Sequence, residues 1–359
     1  MPILPRRSLA DAVAAASHAE HVTITATDQH VTIAGADMWL IAATQLGCND
    51  PNLFTATVAA RQLAAELKGL PDGDIEITTT QSALRLRGGK RTATIAQQGR
   101  LCEVRAVAAE LWQPLGSNTF AAALKQVALA AVNDEARPAV SGVRLTREAI
   151  IATDGARLHH RNVGLLWLPR DLTLPIGCVG AVCDLLAVEA PKKSSKANGT
   201  ASTTPDFTVA VGANNIAFRS TTATQQRTIY IRLAPEPFVE WRRILDAAVV
   251  DTVAVADATK LAAWLRSCPG SVVELSCGEA ELRLRYQVLD DTGLRLLGEG
   301  EDAIEAEVVN TFAPPIKLSV PYLRDALAGC AGAVRLCWAA GQPLRLSDAD
   351  WTAVLMFSR

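Results

Sequence analysis

Residues 58–95, VAARQLAAELKGLPDGDIEITTTQSALRLRGGKRTATI, change their period part-way, and that change decides the fold. Val58 to Leu67 reads as a helix. Gly69-Leu70-Pro71-Asp72-Gly73 then stops it, because proline has no N–H to continue the helical ladder and its ring crowds the preceding turn. Beyond the stop, Ile75-Glu76-Ile77, Leu84-Arg85-Leu86 and Ala93-Thr94-Ile95 alternate in side-chain character, the two-residue period of strands with one face buried. The unit is a helix followed by a meander of short antiparallel strands.

Working outward, the same order recurs. Upstream, alanine-rich Leu9 to Ser17 has helical character and leads into His21-Val22-Thr23-Ile24-Thr25, a turn at Asp28-Gln29, Val31-Thr32-Ile33 and Trp39-Leu40-Ile41. Downstream, helices are predicted near Phe120 to Ala131, Val179 to Val188, Thr259 to Ser267 and Val320 to Gly329. Strands follow, such as Val143-Arg144-Leu145, Phe207 to Val211 with Ile216-Ala217-Phe218, and Val272 to Leu275 with Leu282-Arg283-Leu284. Starts roughly 50 to 80 residues apart are long for a solenoid, whose periods run ~20 to 50 residues. Six modules therefore pair into three similar α+β domains, each with helices on one face of antiparallel sheet.

The expected domains are residues 1–115, 116–248 and 249–359, with boundaries near Pro114 to Ser117 and Asp246 to Asp251. Pro191 to Pro205 (PKKSSKANGTASTTP) has no apolar period and reads as a surface loop of the middle domain. Its lysines are better explained by solvation than by phosphate contact.

Apolar residues make up 49% of the chain, which excludes disorder of the whole. No apolar run approaches the ~18 to 20 residues of a membrane span, and no apolar stretch follows the two arginines near the N-terminus, so a soluble, cytoplasmic protein is expected. Eight cysteines lie in apolar segments without C-x-x-C pairs, as buried free thiols of a reducing compartment do. A net charge of −2 excludes binding to nucleic acid by bulk charge, but not a local basic face.

Catalytic chemistry is hard to find. No phosphate-binding glycine loop or nucleophile elbow is present. Gly298-Glu299-Gly300 lies in the acidic run GEGEDAIEAE, which would repel phosphate and reads as a hairpin rim. Five histidines are few; His18 and His21 straddle a helix end, and His159-His160, in a strand, would point to opposite faces. They are expected to be surface or half-buried structural residues, with no metal, no cofactor and no catalytic group. Asp154-Gly155 is a tight-turn signal between two apolar segments. The turn alone does not explain its flanks.

Those flanks carry a family likeness. Asn133-Asp134-Glu135-Ala136-Arg137-Pro138, then Ser141-Gly142-Val143, then Ala152-Thr153-Asp154-Gly155-Ala156-Arg157-Leu158 resembles the middle domain of the bacterial DNA polymerase III beta subunit, the beta sliding clamp. Val58 to Gln62 with Gly69 to Gly73, Gly212 to Ile216, Phe238 to Leu245 (FVEWRRIL), Tyr322 to Leu327 and Val354 to Arg359 agree in order, so the likeness spans most of the chain and is weakest before about Phe54. The family's clamp fold also has six modules in three domains.

The resemblance implies a non-enzymatic processivity factor. Two chains would pair head to tail as a homodimeric ring around double-stranded DNA, tethering the polymerase III alpha subunit, the clamp loader and other proteins with clamp-binding motifs. A closed ring leaves DNA only by opening, so weak phosphate contacts suffice. Arg61 matches a basic residue of the family's pore, and Lys68, Lys125, Lys260, Arg266 and Arg324 lie on or beside predicted helices; these, with Arg137, are the expected DNA contacts. Carried over by position, a groove for partner peptides would be walled by Val140, Thr153, Gly155, Arg157 and Leu158, with Val239, Arg243 and Ile244, and closed by Pro343, Val354, Met356, Phe357 and Ser358. Its apolar side chains suit anchor residues, and its arginines suit main-chain and polar atoms.

Departures narrow the expectation. Ala156 stands where the family usually has histidine, Phe357-Ser358 replaces a Pro-Met pair, and Ile176, Gly177 and Asp184 occupy positions usually basic. The basic loop that usually follows the first helix is missing between Ala16 and Val22. These features favour weaker, less salt-sensitive DNA binding, and they motivate an alternative, a non-encircling clamp-fold module that binds linear peptide motifs. An enzyme using His159 or His160 beside Asp154 is a third, weaker reading.

Overall fold

Each module begins with a strand that the sequence period does not reveal. The computed structural model describes residues 2–38, 40–48, 53–98, 112–134, 136–187, 205–234, 237–247, 252–289, 296–310 and 313–357. The expected 191–205 loop, apart from Pro205, lies outside them, as do Cys102, Ser358 and the stretch 248–251.

In chain order the first module is β1 (Ile3–Pro5), α1 (Arg6–Ala15), β2 (His21–Ala26), β3 (His30–Ala36) and β4 (Leu40–Gly47), and the second is β5 (Phe54–Ala59), α2 (Ala60–Gly69), β6 (Asp74–Thr79), β7 (Ala83–Gly88) and β8 (Arg91–Ala96). The third is β9 (Gln113–Pro114), α3 (Ser117–Val127) with a 3-10 turn at Ala128–Ala130, β10 (Val143–Leu145), β11 (Ala149–Thr153) and β12 (Arg157–Asn162). The fourth is β13 (Leu172–Leu174), α4 (Ile176–Leu186), β14 (Asp206–Val211), β15 (Asn215–Thr221) and β16 (Gln225–Arg232), followed by a short helix α5 (Trp241–Ala247). The fifth is β17 (Thr252–Asp257), α6 (Ala258–Ser267), β18 (Val272–Cys277), β19 (Glu281–Leu289) and β20 (Leu296–Val308), and the sixth β21 (Ile316–Ser319), α7 (Val320–Leu327), β22 (Ala333–Cys337), β23 (Leu344–Ser347) and β24 (Trp351–Leu355).

All six predicted helices are present, and the α+β class with antiparallel sheet holds. The helix predicted from Val58 begins at Ala60 instead: Thr55, Thr57 and Val58 are β-branched and extend a strand up to it. The helix predicted from Val179 begins earlier, at Ile176, and the last one ends at Leu327. α6 is capped by the Asp257 carboxylate, which accepts from the amides of Thr259 and Lys260, and α7 by the Ser319 hydroxyl, which accepts from Tyr322.

The leading strands are exchanged. β5 pairs with β2 and β1 with β6; β13 with β10 and β9 with β14; β21 with β18 and β17 with β22. Each module thus closes the sheet of its neighbour. Last strands join in turn, β4 to β16 and β12 to β24. β8 ends a four-stranded sheet among the described residues, and β20 pairs with β19 and, only over Ala306–Val308, with β17.

Contact density divides the chain into two units, Met1–Ala121 with Gly180–Leu233, and Ala122–Val179 with Ala234–Arg359. In the first, Leu9 and Val13 of α1 and Leu63 and Leu67 of α2 pack on Val22, Ile24, Ile33, Ile75, Ile77, Leu84 and Leu86. Of the seven cysteines among the described residues, Cys178, Cys268 and Cys337 are buried and the other four half-buried. No helix of the described residues is long and apolar enough to cross a membrane.

One expectation is overturned. His159 and His160 are buried, not surface or half-buried: His159 is 0% exposed and His160 9%. They do point to opposite faces of β12, but the sheet is covered on both. His159 packs on Trp351, whose indole N–H donates to Ala326 of α7, and His160 packs on Trp241 of α5.

Candidate functional site

The turn between β11 and β12 is built by its own side chains. The Asp154 carboxylate accepts from the amides of Ala156 and Arg157, the Thr153 hydroxyl donates to the carbonyl of Arg157 at 2.6 Å, and Gly155 adopts a φ of +91° that a residue with a Cβ rarely tolerates. Arg137 donates to the Asp154 carbonyl at 3.1 Å and to the Asp134 carboxylate at 2.6 Å, which holds that carboxyl below its usual range.

Arg157 is held by two carboxylates and an aromatic ring. Its Nε donates to Asp154 at 3.0 Å, its Nη1 to Asp325 of α7, and its guanidinium lies 4.3 Å from the centre of the Tyr322 ring. With 11% of its side chain exposed, it fastens the turn to α7, a bond between residues distant in sequence.

On the other face, Leu158 and Val354, opposite each other on β12 and β24, join Ala149, Ile151 and Trp241 in one apolar cluster, and Phe238, Val239, Ile244 and Leu245 pack against it. The backbone continues the pairing past β24, with Met356 N–H donating to the Ala156 carbonyl at 2.9 Å. The structure therefore gathers Leu158, Val239, Ile244 and Val354 around one spot, with Thr153, Gly155 and Arg157 on the adjoining turn. Val140 is half-buried and Val239 N–H donates to the neighbouring Ala139 carbonyl. Arg243 is exposed, Pro343 half-buried, and Met356 and Phe357 are 48% and 38% exposed. Ser358 lies outside the described residues. Sequence reading missed Trp241, Phe238, Tyr322 and Asp325, although FVEWRRIL carried the first two in plain view.

Six of the seven candidate DNA contacts lie on helices and are exposed: Arg61 and Lys68 on α2, Lys125 on α3, Lys260 and Arg266 on α6, and Arg324 on α7. Arg324 also donates to the Leu265 carbonyl, and Lys260 lies 3.6 Å from Glu305. Arg137 is on no helix but in the loop before Pro138. Exposed Arg7 on α1 is a cation that sequence reading overlooked, while α4 has no basic residue and exposes Asp184.

Among the described residues no group of three or more His, Cys, Asp or Glu side chains is placed to hold a metal ion. Burial, reinforced by the Arg157 charge, pushes the His159 pKa down to about 4, and burial also lowers that of His160, with Arg345 and Arg242 adding to it.

No protein-family model and no curated protein sequence matches the chain. Solved structures do. DNA polymerase III subunit beta from Pseudomonas aeruginosa superposes with a TM-score of 0.83 at 18% identity, covering 100% of both chains. A DNA polymerase sliding clamp from the same organism, solved with a ligand, gives 0.81 at 17% with 99% of each chain covered, and the beta subunit from Thermotoga maritima gives 0.81 at 16%, covering 100% of this chain and 99% of that one. At such low identity the likeness is one of fold. The chain has the fold of the bacterial DNA polymerase III beta sliding clamps.

Proposed function

We propose that the protein is a DNA sliding clamp: a cytoplasmic, head-to-tail homodimer that encircles duplex DNA, tethers the replicative polymerase and other factors, and performs no chemistry of its own. Exchange of leading strands within successive module pairs supports three domains, 1–115, 116–248 and 249–359.

The observation that carries the ring is a pairing rule left unfinished. Twice, the last strand of the first module of one pair meets the last strand of the second module of the next pair, β4 with β16 and β12 with β24. Among the described residues the same rule leaves β8, and β20 before Ala306, waiting for partners. A second copy supplies both, and a heterologous contact repeated by rotation closes a ring. Charge supports the match: Arg85, Arg87, Lys90 and Arg91 are exposed on or beside β8, and Glu299, Glu301, Asp302, Glu305 and Glu307 on β20.

The helical cations Arg61, Lys68, Lys125, Lys260, Arg266 and Arg324 would meet phosphate, with Arg137 nearer the groove. Loaded on a nicked circular plasmid, the protein should stay bound through gel filtration and slip off when the circle is linearised. Equal retention on both forms argues against a sliding ring.

The partner-peptide groove is assigned to the cluster of Leu158, Val239, Ile244 and Val354 with its surrounding candidates. The absence of basic residues on α4 favours a second reading, a non-encircling module that binds linear motifs. A monomer in solution whose peptide binding is lost in Arg243→Ala or Met356→Ala would support that reading instead.

A further inference from the structure

One row of side chains crosses four strands of the second unit and shares no residue with the groove. Ser347 of β23 stands opposite Arg335 of β22, Arg335 opposite Val255 of β17, and Val255 opposite Glu307 of β20, so all four project from one face. A hollow of about 690 Å³ lies over the row, bordered also by Ala333, Val309 and Ala349. Val255 and Ala333 beside the two charges are short, which leaves room for a ligand to lie across them, and the volume falls within the ~300 to 1,000 Å³ of small-molecule sites.

The polar groups of the row are free to take a ligand. Arg335 and Glu307 are exposed, and among the described residues neither makes an ion pair and the half-buried Ser347 hydroxyl makes no hydrogen bond. Asp348, the other carboxylate at the hollow, is already occupied, accepting from the amides of Ala331 at 2.9 Å and Ala349 at 2.7 Å. A plain anion on Arg335 would face the Glu307 carboxylate across Val255, and a plain cation on Glu307 would face the guanidinium; a molecule that carries both charges meets neither repulsion. Two interstrand spacings put the backbones of Arg335 and Glu307 ~10 Å apart, and charged hydrogen bonds of ~2.8 Å at either end leave ~4 Å between the ligand's charges. We propose that the hollow binds a small ω-amino acid, its carboxylate held by Arg335 and the Ser347 hydroxyl and its ammonium by Glu307. This site rests on no reading of the groove.

The test titrates the full chain with γ-aminobutyrate by saturation-transfer NMR. γ-Aminobutyrate should bind, and butyrate and butylamine, with one charge each, should bind about tenfold more weakly or not at all. Glycine, whose charges are adjacent and cannot span the row, should also bind more weakly. Arg335→Gln should weaken γ-aminobutyrate about tenfold. The exchanged pair, Arg335→Glu with Glu307→Arg, keeps both charges and reverses the direction of the ligand, so it should restore the affinity, which mere damage to the sheet would not allow. No binding of γ-aminobutyrate, equal binding of butyrate or butylamine, an affinity untouched by Arg335→Gln, or no restoration in the exchanged pair overturns the site.

Discussion

The two strand junctions, β4 with β16 in the first unit and β12 with β24 in the second, follow one pattern and differ in the side chains of one face. At β4–β16 that face reads Ile41–Tyr230, Ala43–Thr228 and Gln45–Gln226, with the two glutamines hydrogen-bonded at 3.1 Å. Its tryptophan, Trp112, is half-buried under Arg219, 3.7 Å from the guanidinium. At β12–β24 the face reads Leu158–Val354 and His160–Thr352, and Trp241 with its neighbours covers it. The two glutamines can stay half-exposed because water solvates them, whereas an apolar face must be covered by its own chain or by a partner. The scaffold repeats, and the proposed peptide groove lies at the apolar junction.

The sharpest break in that comparison would come from the covers themselves. Trp241→Ala should cost about 3–5 kcal/mol, as loss of a buried aromatic does. Trp112→Ala should cost only about 1 kcal/mol, the scale of an exposed cation–π contact. Urea unfolding of both variants checks the pair, and equal losses would erase the distinction.

Acid should come next. His159 titrates at about 4 when folded against 6.5 when free, so the unfolded chain binds the proton first. The stability it contributes is complete above pH 6.5 and is lost as pH falls toward 4, roughly 3 kcal/mol in all. His160 adds in the same direction. Hydrogen exchange at falling pH should show β12 and β24 loosening before β4 and β16, and His159→Phe should flatten the pH dependence of the urea midpoint.

Smaller effects test the turn and the polar face. Asp325→Ala releases Arg157 from α7 and should cost about 1–2 kcal/mol, the range for hydrogen bonds to charged groups, while weakening peptide binding more than it lowers the urea midpoint. Gln226→Val at the polar junction should change stability by less than about 1 kcal/mol. A larger loss there would mean that the first junction is as demanding as the second.

Much of the fold could be read from the sequence because it is local. A helix stopped by Pro71 and Gly73 and followed by alternating residues is written within one segment, and six such segments gave six helices. The leading strands were not legible: Ile3–Pro5, Gln113–Pro114 and Leu172–Leu174 are two or three residues long, too short for a period, and gain their place only by pairing with the neighbouring module. α5, at seven residues, was too short to announce itself. Burial of His159 and His160 was hidden because RLHHRN does not say that β12 is covered on both faces. That Leu158, Val239, Ile244 and Val354 belong together was suggested by family likeness, whereas the bond from Arg157 to Asp325, across 168 positions of sequence, was not accessible to any local reading.

Among the described residues the edge of β8 and the part of β20 before Ala306 have no neighbouring strand, and a ring would satisfy both, so the mass of the particle in dilute solution is the decisive measurement. Analytical ultracentrifugation should give a particle of twice the 38.1 kDa chain mass. A single species at 38.1 kDa would leave both edges without a partner and contradict the encircling clamp.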